Sequence, residues 1–170
     1  MRSSEWLGWH GGQSSCMLAL AMRLSRRARY ALCAIFDLAY NGAGEPVRVQ
    51  KIGERQAISY RFLEQIFQDL RRAELVAGKR GPGGGYVLTR PPEEITLLQV
   101  VEAVDGSFAS ADAADREGWP ASGHRPDFLW GDISERMASV LGSLAVSDVC
   151  REAVRKSIDR DLPVGMDYQI

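Results

Sequence analysis

Three cysteines and two histidines are all that 170 residues carry: Cys16, Cys33 and Cys150, with His10 and His124. So few thiols, so widely spaced, exclude a disulfide framework and a closed four-thiolate zinc site. With so little histidine and no paired base and nucleophile, no acid–base constellation can be assembled, and the chain is not read as an enzyme. Also missing is any apolar run near the roughly 20 residues that a membrane helix needs, so no membrane partner is expected. Apolar residues at 45% and charged residues at 25% give the balance of a globular chain, long enough for one domain or a small domain with an appendage.

The net charge of −1 conceals a division. Residues 23–90 hold 13 Lys and Arg against 6 Asp and Glu, whereas residues 91–170 hold 7 against 15. A basic half of this kind suggests a partner of opposite sign, nucleic acid being the usual one. On charge alone, two solvated faces that meet only water fit equally well.

Residues 1–21 read as a tail outside the fold. The short apolar stretch at 16–22 has no cleavage site after it and fails as a secretory signal, and Met17 and Met22 offer alternative starts. Ser25 is placed to cap a helix running to about Asn41, with Gly42 as its terminator. Ala28, Ala31, Leu32, Ile35, Leu38 and Ala39 keep the spacing of a buried helical face. Arg23, Arg26, Arg27 and Arg29 crowd its first turn, the end where the helix dipole disfavours cations. A phosphate backbone would account for them.

A short helix from about Gln50 to Arg55 leads through Ala57 and Ile58 to Ser59, an N-cap for a second helix reaching about Ala73. Leu63, Ile66, Phe67 and Leu70 form the inner stripe of that helix, and Arg61, Glu64, Gln65, Gln68 and Arg72 its opposite face. Two helices around a tight turn, the second presenting long polar side chains, make the helix-turn-helix pattern. Arg, Gln and Glu are also the side chains that read guanine, adenine and cytosine edges in a major groove. Next, the β-prone runs 75–77 and 86–88 flank Gly78-Lys79-Arg80-Gly81-Pro82-Gly83-Gly84-Gly85. A glycine-rich basic hairpin directly after such a helix pair reads as the wing of a winged helix. A nucleotide-binding phosphate loop fails on context, because no Lys-Ser/Thr pair and no helix follow the glycines.

Thr96 and Gln99 form a capping box for a helix to about Asp105 and Gly106. Residues 107–126 lose periodicity and read as a long loop. Leu129, Ile133, Met137, Val140, Leu141 and Leu144 define a long amphipathic helix capped by Asp127, with more apolar stripe than a small domain covers, and this marks it for dimerisation. Ser147 opens a last helix to about Ser157. The expected fold is mainly α: a winged helix-turn-helix domain at 22–106 with a two-stranded β-wing, a sensor-type loop at 107–126, and a dimerisation helix and C-terminal helix at 127–170.

These residues resemble the Rrf family of winged helix-turn-helix transcriptional regulators, the IscR, NsrR and CymR type. The resemblance is carried by Leu24-Ser25 with Arg29-Tyr30-Ala31-Leu32, by Ile58-Ser59 with Phe62-Leu63-Glu64-Gln65, and by Leu70-Arg71-Arg72. Gly81-Pro82-Gly83-Gly84-Gly85-Tyr86 and Ile95-Thr96 with Glu102-Ala103-Val104 complete it, so that it spans residues 22 to about 150. It implies a cytoplasmic homodimer that binds double-stranded DNA sequence-specifically, as a repressor. Arg61, Glu64 and Gln65 would contact bases and Arg80 would enter the minor groove, with Arg26, Arg27 and Lys79 as phosphate partners. Ser59 and Tyr60 at the helix start and Gly83 and Gly84 at the wing tip complete the expected surface. An interaction module on the same fold, with weak DNA specificity, is the alternative reading.

Three departures from the family pattern stand out. Relatives carry glycine where this chain has Ala57 and Glu74. Cluster-binding relatives also carry three cysteines in the loop that here spans 107–126. The matching places hold approximately Ala113, Trp119 and His124, so thiolate ligation from this loop is excluded and no cofactor or metal is expected. Cys33 and His124, with the acids Asp112, Asp115 and Asp127, remain as sensor candidates, although a lone Cys on a helix is usually a small core residue. Cys150, on an apolar stripe with Val146, Val149 and Val154, reads as core rather than sensor. A small-molecule or protein effector is the expected alternative to a cluster.

Overall fold

A computed structural model describes residues 24–107, 126 and 128–161. The tail at 1–21, His124, the loop acids and Asp127 lie outside the described residues. The first helix, α1 (Arg26–Gly42), starts at Ser25, whose hydroxyl oxygen accepts the Ala28 N–H at 2.9 Å and whose O–H donates to Asp105 at 2.8 Å. One side chain thus ties the beginning of α1 to a helix formed 80 residues later. Ala28, Ala31 and Ala34 are fully buried on α1, and their small side chains let neighbouring helices approach closely. The C-terminus of α1 differs from expectation. Gly42 is the last helical residue, pressed against Val47, and the left-handed cap is Ala43 with φ 47°.

The helix pair follows as α2 (Val49–Gln56) and α3 (Tyr60–Arg72), joined through Ala57 in the left-handed region. Leu63, Ile66, Phe67 and Leu70 of α3 are all completely buried, as the stripe predicts. Strands β1 (Val76–Lys79) and β2 (Gly85–Leu88) pair antiparallel, with Val76 opposite Leu88 and Lys79 opposite Gly85. The Val47 backbone also exchanges two hydrogen bonds of 2.9 Å with Tyr86, adding a third contact to the wing. Residue 85 must be glycine there, because a Cβ would lie 2.4 Å from the Val47 carbonyl oxygen. Tyr86 stacks on Phe67 with ring centroids 4.5 Å apart, which fixes the wing to the back of α3.

A short 3-10 turn (Pro92–Glu94) precedes α4 (Leu97–Asp105), whose reciprocal capping box from Thr96 and Gln99 is present as expected. Helix α5 (Phe128–Gly142) and helix α6 (Val146–Arg155) complete the described chain. The last helix begins at Val146 rather than Ser147, because the acceptor for the Ala145 N–H is the Asp148 carboxylate, 2.8 Å away. The α5–α6 junction is sewn to α4 by Leu97 N–H to Leu144 and Val146 N–H to Ile95, both 2.9 Å. Leu141 is only 2% exposed and belongs to the hydrophobic core of the chain, which removes it from the open face expected for dimerisation.

Candidate nucleic-acid interface

Packing the apolar stripe of α3 inward turns its other side to solvent. Ser59, Tyr60, Arg61, Glu64, Gln65 and Gln68 are all exposed along that side. Ser59 occupies the N-cap position, yet its hydroxyl makes no capping bond. Tyr60 donates its phenolic hydrogen to Glu64 one turn further on, a contact that raises the Tyr60 pKa through that hydrogen bond. Beside this row stands the wing. Lys79 ends β1, and Arg80 opens the five-residue tip that returns at Gly85. The tip closes through Gly84 N–H to the Gly81 carbonyl at 2.8 Å, with Gly83 at φ 82° and a Gly84 Cβ excluded by the Lys79 carbonyl at 2.3 Å. Backbone at the tip is therefore bare enough for a close approach.

Charge is distributed unevenly over this surface. Arg26, Arg61, Lys79 and Arg80 are exposed and pair with no acid among the described residues. Arg27 is different: its guanidinium pairs with Asp69 of α3, which also takes Arg72 at 2.8 Å. The expectation that Arg27 serves phosphate gives way to an internal role, holding α1 against α3. Like charges left unpaired around two protruding elements favour a polyanion.

Sequence reasoning overlooked a polar cluster behind the helix pair. Asp37 is wholly buried in α1 and accepts from Arg55 through Nε at 3.0 Å and through a second nitrogen, from Gln56 at 3.0 Å and from Asn41 at 3.3 Å. Arg55 reaches on to Asp161 at 2.8 Å, and the Asp161 N–H meets Asn41 at 3.0 Å. Tyr40 donates to the Ile158 carbonyl at 2.9 Å, while Arg160 bonds the Tyr40 carbonyl and lies over its ring. Helix α2 and the segment 158–161 are thereby clamped to one end of α1. The signal available beforehand was an acid standing between Ile35 and Leu38 on a buried face, with no basic residue within a turn of it on the helix.

Of the sensor candidates, Cys33 is half-buried, and burial first and Asp37 second push its thiol pKa up. Burial takes the Cys150 thiol up to about 11. Both shifts disfavour the thiolate that reactive or metal-ligating cysteines need. Among the described residues, no group of three or more His, Cys, Asp or Glu side chains is placed to hold a metal ion, and no helix is long and apolar enough to cross a membrane.

Residues 24–152 match the family model described as "Rrf2: Iron-dependent Transcriptional regulator". The chain is 39% identical over 142 residues to the HTH-type transcriptional regulator IscR of Sodalis glossinidius, covering 82% of this chain and 86% of that one. It is 41% identical over 132 residues to IscR of Xenorhabdus nematophila, covering 76% and 80%. Among solved structures, T. potens IscR matches with TM-score 0.66 at 29% identity over 84% of this chain and 96% of that chain. CymR, the global cysteine regulator of B. subtilis, matches with TM-score 0.62 at 28% identity over 76% and 97%. Because the matched segment runs from the start of α1 into α6 and takes in the helix pair and the wing, the chain belongs to the Rrf2 family of winged helix-turn-helix regulators, DNA-binding transcription factors and not enzymes.

Proposed function

We propose that the protein is a homodimeric, sequence-specific repressor acting in the cytoplasm without an iron–sulfur cluster. The observation that carries the DNA-reading part is the row of exposed polar side chains on α3 beside a wing whose Lys79 and Arg80 have no acidic partner among the described residues. Helix α3 enters the major groove, with Arg61, Glu64 and Gln65 on base edges and Ser59 free for a phosphate. Arg80 and the bare tip at Gly83 and Gly84 enter the adjacent minor groove, while Arg26 and Lys79 neutralise phosphates.

Dimerisation rests on α5. Leu129 is 39% and Val140 44% exposed, with Ile133 and Met137 half-buried between them on the same stripe and Leu144 half-buried just beyond. A second copy of that stripe covers it and sets two reading heads on one face of the duplex. A dimer lying across a promoter blocks polymerase without needing any other contact, which supports repression.

The iron dependence in the family description does not fit the donors of this chain. No cysteine stands between residues 107 and 126, and Cys33 holds its proton in an apolar setting beside a carboxylate. A metabolite or a partner protein is the effector that this chemistry leaves.

Gel-shift titration against the protein's own promoter region tests the reading. At moderate salt, Gln65→Ala with Arg80→Ala is expected to weaken binding at least tenfold, since each good base contact contributes about 1–3 kcal/mol. Undiminished binding by the double variant would overturn the groove-reading assignment. Protein purified without oxygen is expected to be colourless and free of stoichiometric iron and sulfide. Visible absorption with bound iron would overturn the cluster-free part alone.

A further inference from the structure

Tyr60 is the first residue of α3 and Glu64 lies one turn along the same exposed face, with the phenol O–H donating to one carboxylate oxygen, Oε1. Neither group is buried: Tyr60 is 44% exposed and Glu64 is exposed. An exposed glutamate ordinarily samples many rotamers, and ordering it on binding costs free energy. Here the phenol orders it in advance. The phenol has a single proton, so while it is committed to Glu64 it cannot also donate to a phosphate. Glu64 keeps its second oxygen, which can only accept.

In a major groove, guanine presents acceptors to such an oxygen and thymine an acceptor and a methyl group. Cytosine presents the N4 amino donor, and adenine an amino donor flanked by the N7 acceptor, which repels a carboxylate. From this geometry we infer that Tyr60 is a positioning residue that holds Glu64 as a cytosine reader, so that the Tyr60–Glu64 pair sets base preference at one position of each half-site. The inference rests on the proposed DNA-reading role of α3 and assigns it a specific chemistry.

The test is selection from a random duplex library with the full chain as wild type, Tyr60→Phe and Glu64→Ala. The selected duplex is then titrated with the implicated base pair changed to each alternative. Tyr60→Phe keeps the ring and the helix and removes only the O–H. The wild type should prefer cytosine at one position per half-site, and Glu64→Ala should erase that preference alone. Tyr60→Phe should reduce the preference at the same position about three- to tenfold, a fraction of what a full base contact supplies. The slope of affinity against salt should stay unchanged because no phosphate contact is lost. A merely structural role for Tyr60 would weaken all positions together. Unchanged preference in Tyr60→Phe, an effect at a different position, or a uniform loss would each overturn the inference while leaving DNA reading intact. A wild-type chain that enriches no motif at all would overturn both.

Discussion

Three non-glycine residues of the DNA-binding domain, Ala43, Ala57 and Glu74, occupy left-handed backbone conformations that their side chains oppose, and replacing the two that flank α3 with glycine should stabilise the protein. Ala57 sits at φ 53° in the turn between α2 and α3, and Glu74 at φ 58° just after α3. A Cβ in the left-handed region costs roughly 1–2 kcal/mol. Glycine removes that cost but loses more conformational freedom on folding, which returns part of the gain, so each substitution should stabilise by about 0.5–1 kcal/mol. Neither side chain carries a packing contribution to offset this, since both residues are exposed. Their backbone bonds, Ala57 N–H to Gly53 and Glu74 N–H to Arg71, need no side chain. All of α3 lies between the two sites, so the effects should add. Urea denaturation followed by circular dichroism, at one fixed protein concentration, is expected to show Ala57→Gly and Glu74→Gly each raising the midpoint. The double variant should gain about 1–2 kcal/mol, or several degrees in the thermal midpoint. If either single variant were neutral or destabilised, the strain attributed to these turns would be wrong.

Asp37→Ala should cost about 3–5 kcal/mol by removing the buried partner of Arg55, which keeps only the exposed Asp161, and the acceptor of Gln56 and Asn41, and a loss under 1 kcal/mol in the same denaturation assay would contradict that role. Ile133→Asp combined with Val140→Asp should convert the dimer to a folded monomer by light scattering and weaken operator binding, whereas Leu141→Ala should cost about 2–5 kcal/mol of subunit stability; a double variant that stayed dimeric would rule out the α5 interface. Alkylation near pH 8 should be slower for Cys150 in the folded chain than in urea, because its thiol titrates near 11 rather than near 9; equal rates would refute the burial argument. Between those two pH values the unfolded thiol ionises while the folded one keeps its proton, so stability should fall as pH rises through that window, and Cys150→Ala should flatten the fall.

What could be read in advance was whatever the chain encodes within a turn or two. The stripe of α3, the Thr96–Gln99 box and the glycine-rich wing all follow from neighbours at most a few residues apart, and all three stand as expected. At α6 the local rule holds with a different acceptor: the Asp148 carboxylate, not the Ser147 hydroxyl, accepts the free backbone N–H of Ala145. At the end of α1 the preference of left-handed caps for glycine points to Gly42, but Gly42 is the last helical residue, packed against Val47, and Ala43 turns the chain. The surface was legible in composition and not in pairing. Arg27 looked like its neighbour Arg26, and only the fold brings Asp69, 42 residues away, to its guanidinium. The Tyr60–Glu64 contact was within reach, because residues four apart share a helix face. The Asp37 cluster was legible only as far as Asn41, one turn along the same helix, since Arg55, Gln56 and Asp161 come from separate segments that no periodicity connects.

The clamp at the end of α1 also has a direction in time. Asp37 and Arg55 are 18 residues apart, so a growing chain can join them as soon as α2 has emerged. Asp161, which takes the far side of the same guanidinium, is translated 106 residues after Arg55, and Ile158 follows Tyr40 by 118. Contacts this distant in sequence close late in folding. A nascent chain can therefore assemble the helix pair and the wing well before the segment that braces them exists. During translation the reading head is built first and locked last.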